Sequence, residues 1–119
     1  MGKLTTHVLD TAQGCPAANL KIELWVIDSQ TEQRTQIKTA MTNADGRTDS
    51  PMLNETEIKV GTYELVFSIG EYFTAKSVET TKPAFLDRVP IRFGISDANA
   101  HYHVPLLASP WSYSTYRGS

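Results

Sequence analysis

Three histidines, His7, His101 and His103, are the side chains of this sequence best suited to moving protons. A free imidazole has a pKa of about 6.5, so near neutrality it can both take and give a proton. His101 and His103 stand two apart, and on a strand such residues point to the same side, a spacing that could also hold zinc. Neither has a cysteine or carboxylate beside it, which weighs against a catalytic zinc site. The single cysteine, Cys15, lies in Gly14-Cys15-Pro16, a turn signal, and reads as a small hydrophobe rather than a nucleophile. Ser109 and Ser112 flank a Ser-Pro turn without the G-x-S-x-G context of a serine nucleophile.

The elements that must position the histidines have a period of two. Leu20, Ile22, Leu24 and Val26 alternate with polar residues, as do Tyr63, Leu65, Phe67 and Ile69 after Gly61. Val89, Ile91, Phe93 and Ile95 repeat the pattern, with Pro90 pointing to an edge strand. Arg34 to Thr42 reads as a more exposed strand, followed by the turn signal Asn43-Ala44-Asp45-Gly46. Only Glu71 to Glu79 looks helical, with Tyr72, Ala75 and Lys76 on one stripe. A last strand is expected around Ser112 to Tyr116. Seven or eight short strands at this spacing predict an all-β, two-sheet sandwich with one small helix.

Alternation also assigns faces. Leu4, Thr6 and Val8 form one row of the first strand, and Thr5, His7 and Leu9 the other. Tyr102, Val104 and Leu106 form the apolar row of the late strand, leaving His101, His103, Pro105 and Leu107 opposite. With the apolar rows in the core, His7 and His103 both fall on an outer sheet face. Leucines beside them predict a subunit interface with a polar pocket in it.

Length and composition bound the rest. One domain spanning residues 1–119 is expected from the length alone. A single cysteine excludes an intrachain disulfide and a four-cysteine zinc site. The net charge of −2 argues against a nucleic-acid partner. No apolar run is long enough for a membrane span, and MGKLTTHVLD lacks a secretory h-region. These features favour the cytoplasm, and a periplasmic or peroxisomal setting stays open.

Three stretches are less generic: Leu4-Thr5-Thr6-His7-Val8-Leu9-Asp10 with Gly14-Cys15-Pro16-Ala17, then Asp45-Gly46-Arg47-Thr48, then His101-Tyr102-His103-Val104-Pro105-Leu106-Leu107 running to Tyr116-Arg117-Gly118-Ser119. The chain resembles the transthyretin-related 5-hydroxyisourate hydrolase family over its whole length. The terminal Tyr-Arg-Gly-Ser separates those hydrolases from the hormone-carrying transthyretins. The resemblance implies a homotetramer with sites in the clefts between dimers, a small-molecule substrate and no cofactor. The implied reaction opens a cyclic amide of 5-hydroxyisourate with water, giving 2-oxo-4-hydroxy-4-carboxy-5-ureidoimidazoline. It implies catalytic roles for His7, Arg47, His103 and Ser119, and substrate binding by His7, Arg47, Tyr116 and Arg117. Arg47 beside a histidine is expected to lower that histidine's pKa. Sequence does not choose which histidine is the base, nor does periodicity orient Arg47.

Two other readings make distinct expectations. A transthyretin-like carrier needs an open channel, which a bulky Tyr116 would obstruct. A purely structural sandwich gives no reason for two histidines and an arginine at these positions.

Overall fold

The computed structural model describes residues 2–78 and 80–119, so Glu79, the expected helix end, lies outside the described residues. Its strands are β1 (Lys3–Asp10), β2 (Cys15–Pro16), β3 (Lys21–Ile27), β4 (Arg34–Met41), β5 (Gly61–Ser68), β6 (Arg88–Ile95), β7 (His101–Ala108) and β8 (Tyr113–Thr115). One sheet runs β2-β1-β7-β8 and the other β4-β3-β5-β6. The expected two-sheet sandwich is therefore the architecture found. β6 is an edge strand, which leaves Pro90 without a ladder obligation on its outer side.

The inner faces meet where alternation placed them. Leu4, Val8 and Leu106 of one sheet pack into the same core as Ile22, Leu24, Leu65 and Phe67 of the other. Thr6 lies in that core row as well, and donates its hydroxyl to the Val104 carbonyl (2.7 Å), so its burial leaves no orphan group. A bulge between Leu24 and Trp25 shifts the β3–β4 register. The extra residue is Ile37 of β4, while β3 keeps an unbroken register with β5; at the end of β3, Ile27 is more buried than Val26.

The helix, α1 (Ile69–Ala75), begins two residues earlier than the spacing predicts and follows β5 directly. Its buried stripe is Ile69, Tyr72 and Phe73, not Tyr72, Ala75 and Lys76. Both stripes have helical spacing, and the one carrying three large apolar groups wins because it closes the open end of the core. Ser77, with φ 60°, ends the helix beyond Lys76. The final strand is also shorter than expected, at three residues.

For function, the central feature is the pairing of β1 with β7. These strands run parallel, with Thr5 beside His103, His7 beside Pro105 and Leu9 beside Leu107. All of these lie on the outer face. Pro105 lies in this outer row and is buried already within the chain, because β7 is a central strand flanked by β1 and by β8 with its tail. No helix among the described residues is long and apolar enough to cross a membrane.

Candidate active site

Four separated parts of the chain meet on the outer face of the β1–β7 pair. They line an open cavity of about 350 Å³ bordered by Lys3, Thr5, Arg47, His101, His103 and Ser119, among others. That volume suits a small polar ligand.

Periodicity could not place Arg47, and the structure shows why it lies where it does. Asn43 Oδ1 accepts the backbone N–H groups of Asp45 and Arg47, which winds the turn. Gly46 then takes φ +74°, and a Cβ there would fall 2.3 Å from the Val8 carbonyl oxygen. Only glycine fits this close approach. In return the Val8 N–H donates to the Gly46 carbonyl (2.8 Å), and His7 and Arg47 form an isolated antiparallel bridge. The turn is thus stitched onto β1, with the arginine next to the histidine. Arg47 is exposed and forms no salt bridge among the described residues, leaving its guanidinium donors for a ligand.

His7 and His103 are held differently. His7 Nε2 lies 2.9 Å from the Asp45 carbonyl oxygen. A carbonyl only accepts, so His7 must carry a hydrogen on Nε2 and donate it. His103 Nδ1 instead meets the Thr5 hydroxyl at 2.8 Å, and Nε2 makes no hydrogen bond among the described residues. His103 is half-buried, and that burial, followed by the nearby Arg47, His101 and His7, holds its pKa below the ordinary imidazole value. The lowering expected from arginine is present, but burial is the larger cause.

The tail is tied down rather than frayed. The Gly118 N–H donates to the His103 carbonyl (2.7 Å), continuing the β7–β8 register as an isolated bridge. Gly118 packs on the imidazole itself, since a Cβ there would come within 2.6 Å of His103 Cδ2. Ser119 is thereby delivered to the cavity. Arg117, by contrast, points to the other side of the sheet, where its guanidinium stacks 4.3 Å from the Tyr102 ring centre. Within one chain it does not join the histidines. Tyr116 is 61% exposed; the continued register sets it opposite Pro105, in the row of His7. It also borders a second, more apolar cavity with Phe93, Tyr102 and Arg117.

Sequence reasoning missed two contributors. Alternation puts Thr5 in the correct row without giving it a role, and the spacing of His101 offers it only as a zinc ligand. Their convergence on one hydroxyl needs the parallel β1–β7 register, which no local pattern encodes. Among the described residues no group of three His, Cys, Asp or Glu side chains is placed to hold a metal ion.

The model of the HIUase/Transthyretin family matches residues 4–118. The chain is 56% identical over 119 residues to the 5-hydroxyisourate hydrolase of Pseudomonas aeruginosa, covering all of this chain and 93% of that protein. It superposes on the 5-hydroxyisourate hydrolase of Klebsiella pneumoniae with a TM-score of 0.78 at 31% identity, covering all of both chains. The sea bream transthyretin solved in complex with thyroxine gives a TM-score of 0.86 at 26% identity, covering 98% of this chain and 94% of that one. The hydrolase and the thyroxine-bound transthyretin share the sandwich, so the fold alone does not fix the function. A match across nearly the whole sequence, with both strands and the turn that build the cavity inside it, makes this chain a member of the HIUase/transthyretin family.

Proposed function

We propose that the chain hydrolyses 5-hydroxyisourate, opening a cyclic amide with water to give 2-oxo-4-hydroxy-4-carboxy-5-ureidoimidazoline. The observation that carries this is the convergence of Arg47, His103 and Ser119 on one cavity, with His7 bridged to Arg47 beside it. His103 is the general base: its Nε2 makes no hydrogen bond among the described residues, whereas His7 Nε2 is committed as a donor to Asp45. His103 Nε2 takes a proton from water as the oxygen attacks the ring carbonyl. The resulting oxyanion is stabilised by the Arg47 guanidinium, which stays charged and presents a planar fork of donors. As the carbon–nitrogen bond breaks, the imidazolium returns its proton to the departing nitrogen. His7 and the Ser119 hydroxyl orient substrate and water. No step uses a cofactor.

Substrate generated from urate by urate oxidase should lose its ultraviolet absorbance faster in the presence of the protein. An unchanged decay would defeat the proposal. The pH profile adds a signature. With neutral His103 as base, kcat/KM should be level near pH 7.5 and fall as pH drops through a pKa below about 6.5. A profile flat down to pH 5 would remove His103 from that role.

The assembly we propose is a homotetramer with the cavity at the interface between dimers, working in the cytoplasm. Leu9 and Leu107 sit half-buried side by side on the outer face, a poor fit to water alone. Light scattering should give four times the 13.2 kDa chain mass; a monomer would rule the shared cleft out. In that cleft Tyr116 walls the site and stacks on the planar substrate, while Arg117 on Tyr102 fixes the tail that delivers it. An aromatic ring buries on the order of 150–200 Å². Tyr116→Thr should therefore lower kcat/KM and let a longer two-ring ligand such as thyroxine bind. Full hydrolysis with no gain of thyroxine binding would show that Tyr116 is not the wall.

A further inference from the structure

Two of the three histidines share one hydroxyl. Thr5 Oγ1 lies 2.8 Å from His103 Nδ1 and 2.8 Å from His101 Nε2. The two imidazole centres are 6.2 Å apart. A hydroxyl has one hydrogen, so it can donate to only one of these nitrogens. If both nitrogens donated instead, that hydrogen would have no acceptor, since Thr5 Oγ1 makes no other hydrogen bond among the described residues.

Two arrangements satisfy all three groups. In the first, Thr5 donates to His103 Nδ1, which puts the neutral ring's hydrogen on Nε2 and disables that nitrogen as a base. In the second, His103 Nδ1–H donates to Thr5, and Thr5 donates to a bare His101 Nε2. His103 Nε2 then keeps its lone pair. Only this second arrangement survives proton uptake, because an imidazolium carries N–H on both nitrogens and must donate to Thr5.

We propose that Thr5 and His101 are positioning residues for the hydrolysis, forming a directed chain from His103 Nδ1–H through the Thr5 hydroxyl to His101 Nε2 that keeps His103 Nε2 bare and ready for a proton. The proposal rests on His103 being the base. The chain needs His101 neutral, and its surroundings favour that. Lys3, Thr5 and His7 face the pair from β1, Arg47 and Asp49 from the loop after β4, and Ser119 from the tail. Burial and then Lys3 hold His101 below the ordinary imidazole pKa.

The test reads tautomers directly, by long-range proton–nitrogen NMR on the assembled protein labelled with ¹⁵N in histidine, at pH 7.5. The wild type should show His103 protonated on Nδ1 and bare on Nε2, with His101 bare on Nε2. Thr5→Val should move the His103 hydrogen toward Nε2 and lower kcat about tenfold with KM little changed. Thr5→Ser, which keeps the hydroxyl, should restore both tautomer and kcat. His101 is exposed, so its variants test the same chain without touching the core. His101→Gln offers an amide oxygen to Thr5 and should keep most of kcat, whereas His101→Phe should behave like Thr5→Val. A bare Nδ1 on wild-type His103, or a His103 tautomer unmoved by Thr5→Val and His101→Phe, overturns the proposal. A wild type without turnover would defeat the hydrolase reading instead, and the ring-nitrogen pattern would still report on the chain.

Discussion

His103→Asn should lower kcat by about 10²- to 10⁴-fold, the range associated with losing a general base. Asparagine keeps a polar group of similar reach but cannot accept a proton near neutrality. Folding should be untouched, because the His103 side chain lies on the outer face and the core row of β7 is Tyr102, Val104 and Leu106. The acid limb of the pH profile should vanish along with the rate, since no group titrating in that range remains as base. Steady-state turnover at several pH values, with light scattering on the same sample, measures both. A variant retaining more than about a tenth of wild-type kcat would transfer the base role elsewhere.

Arg47→Gln is the second large effect, expected at about 10²- to 10³-fold in kcat/KM, the usual cost of removing a donor from an oxyanion. Arg47→Lys should recover only part of it, because a point charge lacks the planar fork that meets a carbonyl and its neighbouring nitrogen. A second readout separates this role from simple substrate anchoring. Arg47 is one of the charges that hold the His103 pKa down. Removing it should therefore shift the acid limb of kcat/KM toward higher pH. That shift follows only if the guanidinium sits beside the histidine in solution. An acid limb that stays in place while activity falls would make Arg47 a binding residue alone.

The faces of the strands were legible in the sequence because alternation is a local property. Leu4, Thr6 and Val8 could be sent inward, and Thr5, His7 and Leu9 outward, without knowing what either row meets. The turn carrying Arg47 was legible as a turn, yet not as a neighbour of His7. Its seat depends on Gly46 fitting under the Val8 carbonyl, a contact between distant parts of the chain. The helix was found, but one stripe late. Ile69 continues the alternation of β5 and also begins the helical spacing with Tyr72 and Phe73. Only the open end of the core decides between those periods. Arg117 shows the same limit: the resemblance groups it with substrate, and its stacking on Tyr102 within the chain is a contact between distant positions that no local pattern encodes.

The parallel union of β1 and β7 has a consequence for how quickly this molecule can be made. Thr5 and His103 are 98 positions apart, and every rung of that eight-residue ladder spans the same distance. Closing so long a loop costs chain entropy before any rung forms, which places such topologies at the slow, millisecond-to-second end of folding. Until residues 101–108 arrive, β1 presents a bare edge carrying Thr5 and His7 with nothing to face. Conditions that slow this last closure should therefore expose an aggregation-prone strand edge at the same moment that they delay activity.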